Sequence, residues 1–83
     1  MITIKSVSVL LNPALPVPRV DFFRFYFGID SITGTQGLFV EGFDSSKPAK
    51  TFSNFCHGCM EWFAVELTAE IIGHEVIVKP KNT

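Results

Sequence analysis

Charge is scarce in this 83-residue sequence, and the charges that are present nearly cancel. Charged residues make up 18% of the chain, the formal net charge is −1, and no segment is rich in Lys or Arg. Proteins that bind duplex DNA or an anionic membrane neutralise phosphates with clustered basic side chains. The composition therefore argues against nucleic acid and against a membrane surface as partners.

The sequence also lacks a long hydrophobic run and has few cysteines. A membrane-spanning helix needs about 20 consecutive apolar residues, and no run approaches that length. The first five residues alternate in polarity and lack the continuous apolar segment of a signal peptide. Two cysteines, Cys56 and Cys59, are too few and too close for a disulfide scaffold, which fits a reducing compartment. These absences predict a cytoplasmic protein.

Hydrophobic side chains, by contrast, are abundant. They make up 47% of the chain and include nine Phe, one Trp and one Tyr, each able to bury about 150–250 Å². A chain of this length forms one small domain, here residues 1–83, with a single core. So few charges predict a surface with exposed apolar area, which is where self-association or partner binding begins.

The most aromatic stretch is Asp21–Phe27, within a strand predicted over Val20–Phe27. Successive side chains of a strand point to opposite faces. One face therefore carries Phe23, Phe25 and Phe27, and the other carries Phe22, Arg24 and Tyr26. Neither face is suited to water, so each needs a cover.

The remaining patterns predict an α+β fold. Alternation predicts strands over 2–11, 38–43 and 74–79, and the proline-rich segment 12–19 is an extended loop. Capping residues at 44–48 precede a long helix over 48–72. Its apolar stripe is formed by Phe52, Cys56, Met60, Phe63, Ala64, Leu67 and Ile71. The expected architecture is an antiparallel sheet of three to four strands, in the order β-β-β-α-β, with the helix packed across one face.

Cys56-His57-Gly58-Cys59 is the stretch that resembles a metal or redox motif. A structural zinc site needs four ligands, and the chain offers two cysteines and two histidines, which the predicted helix would not bring together. A redox pair of the thioredoxin type belongs at a helix N-terminus, whereas this pair falls two turns inside the helix. We therefore interpret both cysteines as small buried side chains of the helix. We predict no metal, no cofactor and no catalysis.

A second resemblance concerns Gly37–Phe43, which is similar to the base-stacking aromatic strand of RNA-recognition-motif domains. Gln36 stands where that motif has a basic residue, the spacing differs, and one helix is predicted where that fold has two. The chain is therefore not assigned to that family. The resemblance still implies an alternative function, single-stranded nucleic-acid binding on a sheet face that carries Phe22, Arg24 and Tyr26.

Protein association is the function that the sequence favours. On the predicted helix, Phe55 and Trp62 widen the apolar arc to roughly 200°, more than one sheet face needs. The loop around Leu15–Val17 could cover one surplus apolar surface but not two. We therefore predict a homodimer or a module that binds another protein, acting as an adaptor or inhibitor. The predicted interface residues are Phe22, Arg24, Tyr26, Phe55 and Trp62. A small zinc domain using Cys56 and Cys59, with His57 as a further candidate ligand, is the remaining alternative.

Overall fold

The chain folds into two antiparallel sheets of three strands each. The computed structural model describes residues 6–81, in the order β1 (Val7–Leu10), β2 (Phe22–Ile29), β3 (Gln36–Phe43), β4 (Lys50–His57), β5 (Leu67–Ile72) and β6 (Glu75–Pro80). A short 3₁₀ helix, Cys59–Trp62, lies between β4 and β5. The strand orders are β1-β6-β5 and β2-β3-β4.

The core lies between the two sheets. The central strands supply its most buried side chains, Leu38 and Val40 from β3 and Val76 and Val78 from β6, each at most 1% exposed. One cluster contains all four together with Leu11, Cys56, Cys59 and Trp62. At the sheet edges β1 contacts β4, and β2 contacts β5. The molecule is therefore a small β-sandwich that buries one face of each sheet.

The predicted α+β fold is wrong, because the described residues 6–81 contain no long helix packed on a sheet. The region predicted as one helix over 48–72 forms β4, the 3₁₀ helix and β5. The other predicted strands correspond to β2, β3, β6 and, from residue 7 onward, β1; the part of the first strand over residues 2–5 lies outside the described residues. Within residues 6–81, no helix is long and apolar enough to cross a membrane.

The helix prediction failed because the same residues also fit a period of two. Phe52, Asn54 and Cys56 pair with the inward-facing positions of β3, so the i, i+4 spacing of Phe52 and Cys56 is also two steps along one strand face. Gly58 has φ 72°, a left-handed conformation that ends β4 without the cost that a side chain would add. Gly73, with φ 61°, occupies the two-residue turn between Ile72 and Glu75 rather than a helix end.

The proline-rich connection between β1 and β2 runs along the β4 side of the sandwich. The carbonyl oxygen of Leu15 is 2.7 Å from Nε2 of His74, in the β5–β6 turn. The hydroxyl of Thr51 donates to the carbonyl oxygen of Arg19 at 3.4 Å. Leu15 and Pro16 line a groove beside Thr51–Asn54 of β4. Nothing in these contacts places the connection over the outer face of β2-β3-β4.

Gly37 provides a test of the β3–β4 pairing. A Cβ at this position would clash with the carbonyl oxygen of Cys56 and with the ring of Phe55. We expect Gly37→Ala to lower the free energy of unfolding by about 2–3 kcal/mol, because a backbone atom of β4 must move. Urea denaturation measures this, with Thr35→Ala in the exposed turn expected within about 0.5 kcal/mol of the native protein. Equal stability of both variants would contradict the pairing.

Candidate functional site

The outer face of the β2-β3-β4 sheet is the part of the molecule that calls for a functional explanation. Strand pairing places Tyr26 opposite Phe39 and Phe39 opposite Phe55, and the same alternation extends along all three strands. We call this surface the aromatic face. It consists of Phe22, Arg24, Tyr26, Phe39, Glu41, Phe43, Lys50, Ser53, Phe55 and His57.

Its rings pack against one another in rows across the sheet. The ring centroids of Tyr26 and Phe39 are 5.0 Å apart with the planes 13° from parallel, and Phe39 contacts Phe55 edge-on at 4.6 Å. Phe55 in turn contacts the ring of His57 at 4.8 Å. At the other end of the face, Phe22 and Phe43 are 5.6 Å apart. These contacts form two aromatic rows, one at each end of the face, rather than isolated rings.

Two glycines allow these rings to lie close to the backbone. A Cβ at Gly28 would come within 2.9 Å of Cε2 of Phe39, and a Cβ at Gly37 would come within 2.6 Å of Cζ of Phe55. Each ring therefore leans over a glycine of the neighbouring strand, an arrangement that shields the bare backbone. The face is lower and smoother than upright side chains would make it.

A charged group lies between the two aromatic rows. The Glu41 side chain is 4% exposed, and its carboxylate accepts a hydrogen bond from Nζ of Lys50 at 2.7 Å and lies 3.3 Å from Nε of Arg24. The guanidinium of Arg24 is also 5.5 Å from the ring centroid of Tyr26. The side chains of Arg24 and Lys50 are 61% and 50% exposed. They cover the carboxylate and leave the row with one net positive charge.

This arrangement fixes the ionisation of Glu41. The hydrogen bond from Lys50 lowers the pKa of Glu41, burial acts in the opposite direction, and the positive charges of Lys50 and Arg24 lower the pKa further. The same hydrogen bond raises the pKa of Lys50. Opposite charge and hydrogen bonding to the charged form outweigh desolvation here, so the carboxylate is ionised at neutral pH.

The outer face of the other sheet has a different character. Strand pairing places Ser8, Thr68, Glu70, Glu75 and Lys79 on it, together with Leu10, Ile72 and Ile77. The hydroxyl of Ser8 donates to the carboxylate of Glu75 at 2.9 Å. This is the mixed polar surface that a solvated sheet face usually has. The aromatic face departs from that norm within the same molecule.

The structure brings four of the five predicted interface residues together and separates the fifth. Phe22, Arg24 and Tyr26 lie on the aromatic face as the alternation predicted, and Phe55 joins them because β4 replaces the helix. Trp62 is 3% exposed and belongs to the core between the sheets. The widened apolar arc that Phe55 and Trp62 were expected to form does not exist, because residues 48–72 do not form the predicted helix.

Sequence reasoning missed the contribution of β3 and β4 to this surface. Alternation along 38–43 places Phe39, Glu41 and Phe43 on one face of their strand, but it does not match that face to the one with Phe22, Arg24 and Tyr26. The two strands are predictable as a hairpin, but the register that sets Gly28 opposite Gly37 and joins the two sets is seen only in the structure. Lys50 could not be found this way, because it was placed on a helix.

The two cysteines of the motif are bonded to each other in this structure. Cys56 and Cys59 form a disulfide, and among residues 6–81 no three His, Cys, Asp or Glu side chains are grouped to hold a metal ion. Both cysteines are buried as predicted, but they belong to β4 and the 3₁₀ helix rather than to a long helix. His57 points its Nε2 toward a carboxylate oxygen of Asp30 at 4.0 Å. The zinc alternative therefore receives no support from the arrangement of these residues.

Comparisons of the chain with protein-family models, with curated proteins and with solved structures found no match. Any functional inference must therefore come from the chemistry of the surface itself. The aromatic face offers contact area and two exposed cations.

The ion pairs of Glu41 predict a specific pH dependence. Because the pKa of Glu41 is lowered from its ordinary 4.5 on folding, its ionisation stabilises the fold above that pH, and the contribution is lost as the pH falls through the folded-state pKa. We expect Glu41→Gln to lower the thermal midpoint at pH 7. On acidification from pH 5 to about pH 3, the thermal midpoint of this variant should decrease less than that of the native protein. Part of the fall should persist, since hydrogen bonds from Ser46 lower the pKa of Asp44 as well.

Glu70→Gln, on the polar outer face, is the matched control for this titration and should follow the native curve. Calorimetric scans across the pH series give the comparison. Identical pH profiles for Glu41→Gln and the native protein would show that the Glu41 ion pairs do not contribute to stability.

Proposed function

We propose that this protein is a small protein–protein interaction module whose aromatic face packs against a second copy of the chain. The observation that carries the proposal is the exposure of large aromatic side chains on one sheet face: Phe22 is 55% exposed and Tyr26 is 38% exposed. Contiguous apolar area of this kind is typical of association surfaces on soluble proteins. Tyr, Phe and Arg are also common among residues that dominate binding energy.

Charge balance favours a second copy as the partner. The exposed cations Arg24 and Lys50 flank a single carboxylate, Glu41, and the imidazole of His57 lies near the carboxylate of Asp30. A face with several charges of one sign would repel its own copy, whereas this face carries one net positive charge, which is a weak repulsion. A two-fold dimer uses the same patch on both subunits, which this face permits.

The size of the face predicts weak association. Three strands of eight residues each, at about 3.3 Å per residue and about 4.8 Å between strands, give a face of roughly 26 by 14 Å. Two such faces bury several hundred Å² in projection, which is below the roughly 1,200 Å² of a stable interface. We therefore expect dissociation constants in the micromolar range or weaker, and a reversible dimer rather than an obligate one.

Single-stranded nucleic acid is the competing occupant, because the face combines aromatic rings with Arg24. Two features argue against it. Base stacking requires free ring faces, and the Tyr26 and Phe39 rings already stack on each other. Phosphate binding requires several uncompensated positive charges, and Glu41 compensates one of the two charges of Arg24 and Lys50, which leaves a single one.

Phe22→Glu tests the proposal with a closely matched control. Both Phe22 and Ile29 lie on β2 with similar exposure, 55% and 58%. Phe22 belongs to the aromatic face, whereas Ile29 is at the other end of the strand and points to the opposite side of the sheet. We expect Phe22→Glu to weaken self-association at least about tenfold, because a charge must be desolvated in the interface. Ile29→Glu should leave association unchanged.

Sedimentation velocity over a concentration series up to about 1 mM measures both variants; this range brackets the affinity expected from the small interface area. A native protein that remains monomeric throughout, or equal effects of the two substitutions, would contradict the proposal. Salt-sensitive binding of a labelled single strand, lost in Arg24→Ala, would instead favour the nucleic-acid function.

A further inference from the structure

The Cys56–Cys59 disulfide joins the end of β4 to the 3₁₀ helix that follows it after Gly58. Cys56 is the penultimate residue of β4 and Cys59 begins the 3₁₀ helix. The chain then crosses from the β2-β3-β4 sheet to the β1-β6-β5 sheet. Both cysteines are in the core, 6% and 4% exposed. The bond therefore lies at the point where the connection between the two sheets leaves β4.

Residues 58–66 of this connection have few backbone bonds to the rest of the described chain. The amide of Gly58 donates to the carbonyl of Gln36 at 3.4 Å, and the carbonyl of Glu66 accepts from the amide of Lys81 at 2.8 Å. Between these ends the backbone hydrogen bonds join residues of the connection to each other. Its position is therefore set by the disulfide and by side chains, chiefly Trp62 in the core and Phe63 against the ring of Phe27 at 5.2 Å.

We propose that Cys56 and Cys59 form a reversible thiol–disulfide site, opened by a dithiol reductant, whose oxidation state fixes the position of residues 58–66. A thiolate of the reductant attacks one sulfur and forms a mixed disulfide, and its second thiol then displaces the cysteine. The reductant leaves as a cyclic disulfide. Its two electrons and two protons remain on the cysteines as two thiols.

Reduction changes the packing, not the covalent link alone. Bonded sulfurs are about 2 Å apart, whereas two unbonded sulfurs need roughly the 3.5–4 Å of van der Waals contact. Close-packed cores accommodate extra volume by moving neighbouring groups. Cys59 and Trp62 are on the same short helix and in the same buried cluster. We expect the 3₁₀ helix, which has no side-chain cap, to shift on reduction and to carry Trp62 with it.

The site also contacts the aromatic face through His57, which lies between the two cysteines. The His57 ring contacts Phe55 at 4.8 Å, and Phe55 contacts Phe39 at 4.6 Å. Loosening the end of β4 would therefore disturb the Phe55 side of the face. This step rests on the proposed function, and it predicts weaker self-association of the reduced protein.

The single tryptophan of the chain reports on this site directly. The intact air-oxidised protein should have a mass lower by two hydrogen atoms than the protein treated with dithiothreitol. On reduction, Trp62 emission should shift to longer wavelength and the thermal midpoint should fall by about 5–10 °C, the scale expected for opening a short disulfide loop. A Cys56→Ser, Cys59→Ser double variant should show no response to dithiothreitol.

Each result decides a separate claim. Free thiols in the air-oxidised protein, or unchanged Trp62 emission on reduction, would overturn the thiol–disulfide site whether or not the protein associates. This comparison uses the native chain, so it does not depend on folding of the serine variant. Shifted emission with unchanged sedimentation of a native dimer would overturn the link to the aromatic face alone. A monomer in both states would overturn the proposed dimer and, with it, that link.

Discussion

A three-stranded sheet with apolar side chains on both faces can bury one face within its own chain, and this constraint organises the molecule. The β1-β6-β5 sheet covers the inward face, where Phe23, Phe25 and Phe27 pack against the core. The outward face has no such cover among the described residues. The proline-rich connection, which could have supplied one, runs instead beside β4. The chain thus buries one core between its two sheets and leaves the aromatic face uncovered on the outside of the β2-β3-β4 sheet.

The charged row of Glu41, Arg24 and Lys50 makes that surface compatible with both water and a partner. A buried carboxylate in the centre of a sheet would be costly unless it were paired, and here two cations satisfy it from the neighbouring strands. Their exposed positions keep the monomer hydrated across the middle of the face. The aromatic rows on either side remain free to contact another molecule. Such a division suits the reversible self-association that we propose.

Sequence patterns predicted β2, β3 and β6 as strands but predicted a helix where β4 and β5 form. The reasons can be identified. The Asp21–Phe27 stretch alternates so strongly that both of its faces could be assigned by residue. From 50 to 57, apolar residues four apart satisfy a helix and a strand equally, and the three-dimensional partner decides between them. Gly37, beside β4, and Gly58, at its end, favour the strand, because one admits the neighbouring backbone and the other takes a positive φ. Propensity and spacing alone do not contain that information.

The misplaced helix also explains which parts of the candidate site could be anticipated. Phe22, Arg24 and Tyr26 required no more than the alternation of one strand. Phe55 was a predicted interface residue because of its position on a helix that does not form. Its place beside Phe39 depends on the pairing between β3 and β4. Trp62 was read as a surface residue because it widened a helical arc, yet a single large aromatic side chain in a small domain is more valuable within the core.

The most direct measurement of the central claim is the concentration dependence of the NMR spectrum of the native protein. If the outward aromatic face is the contact surface, resonances of Tyr26, Phe39 and Phe55 will shift progressively on concentration, while those of Ser8, Thr68 and Glu70 on the opposite outer face will not. Shifts that are absent throughout, or confined to the β1-β6-β5 side, would contradict the account.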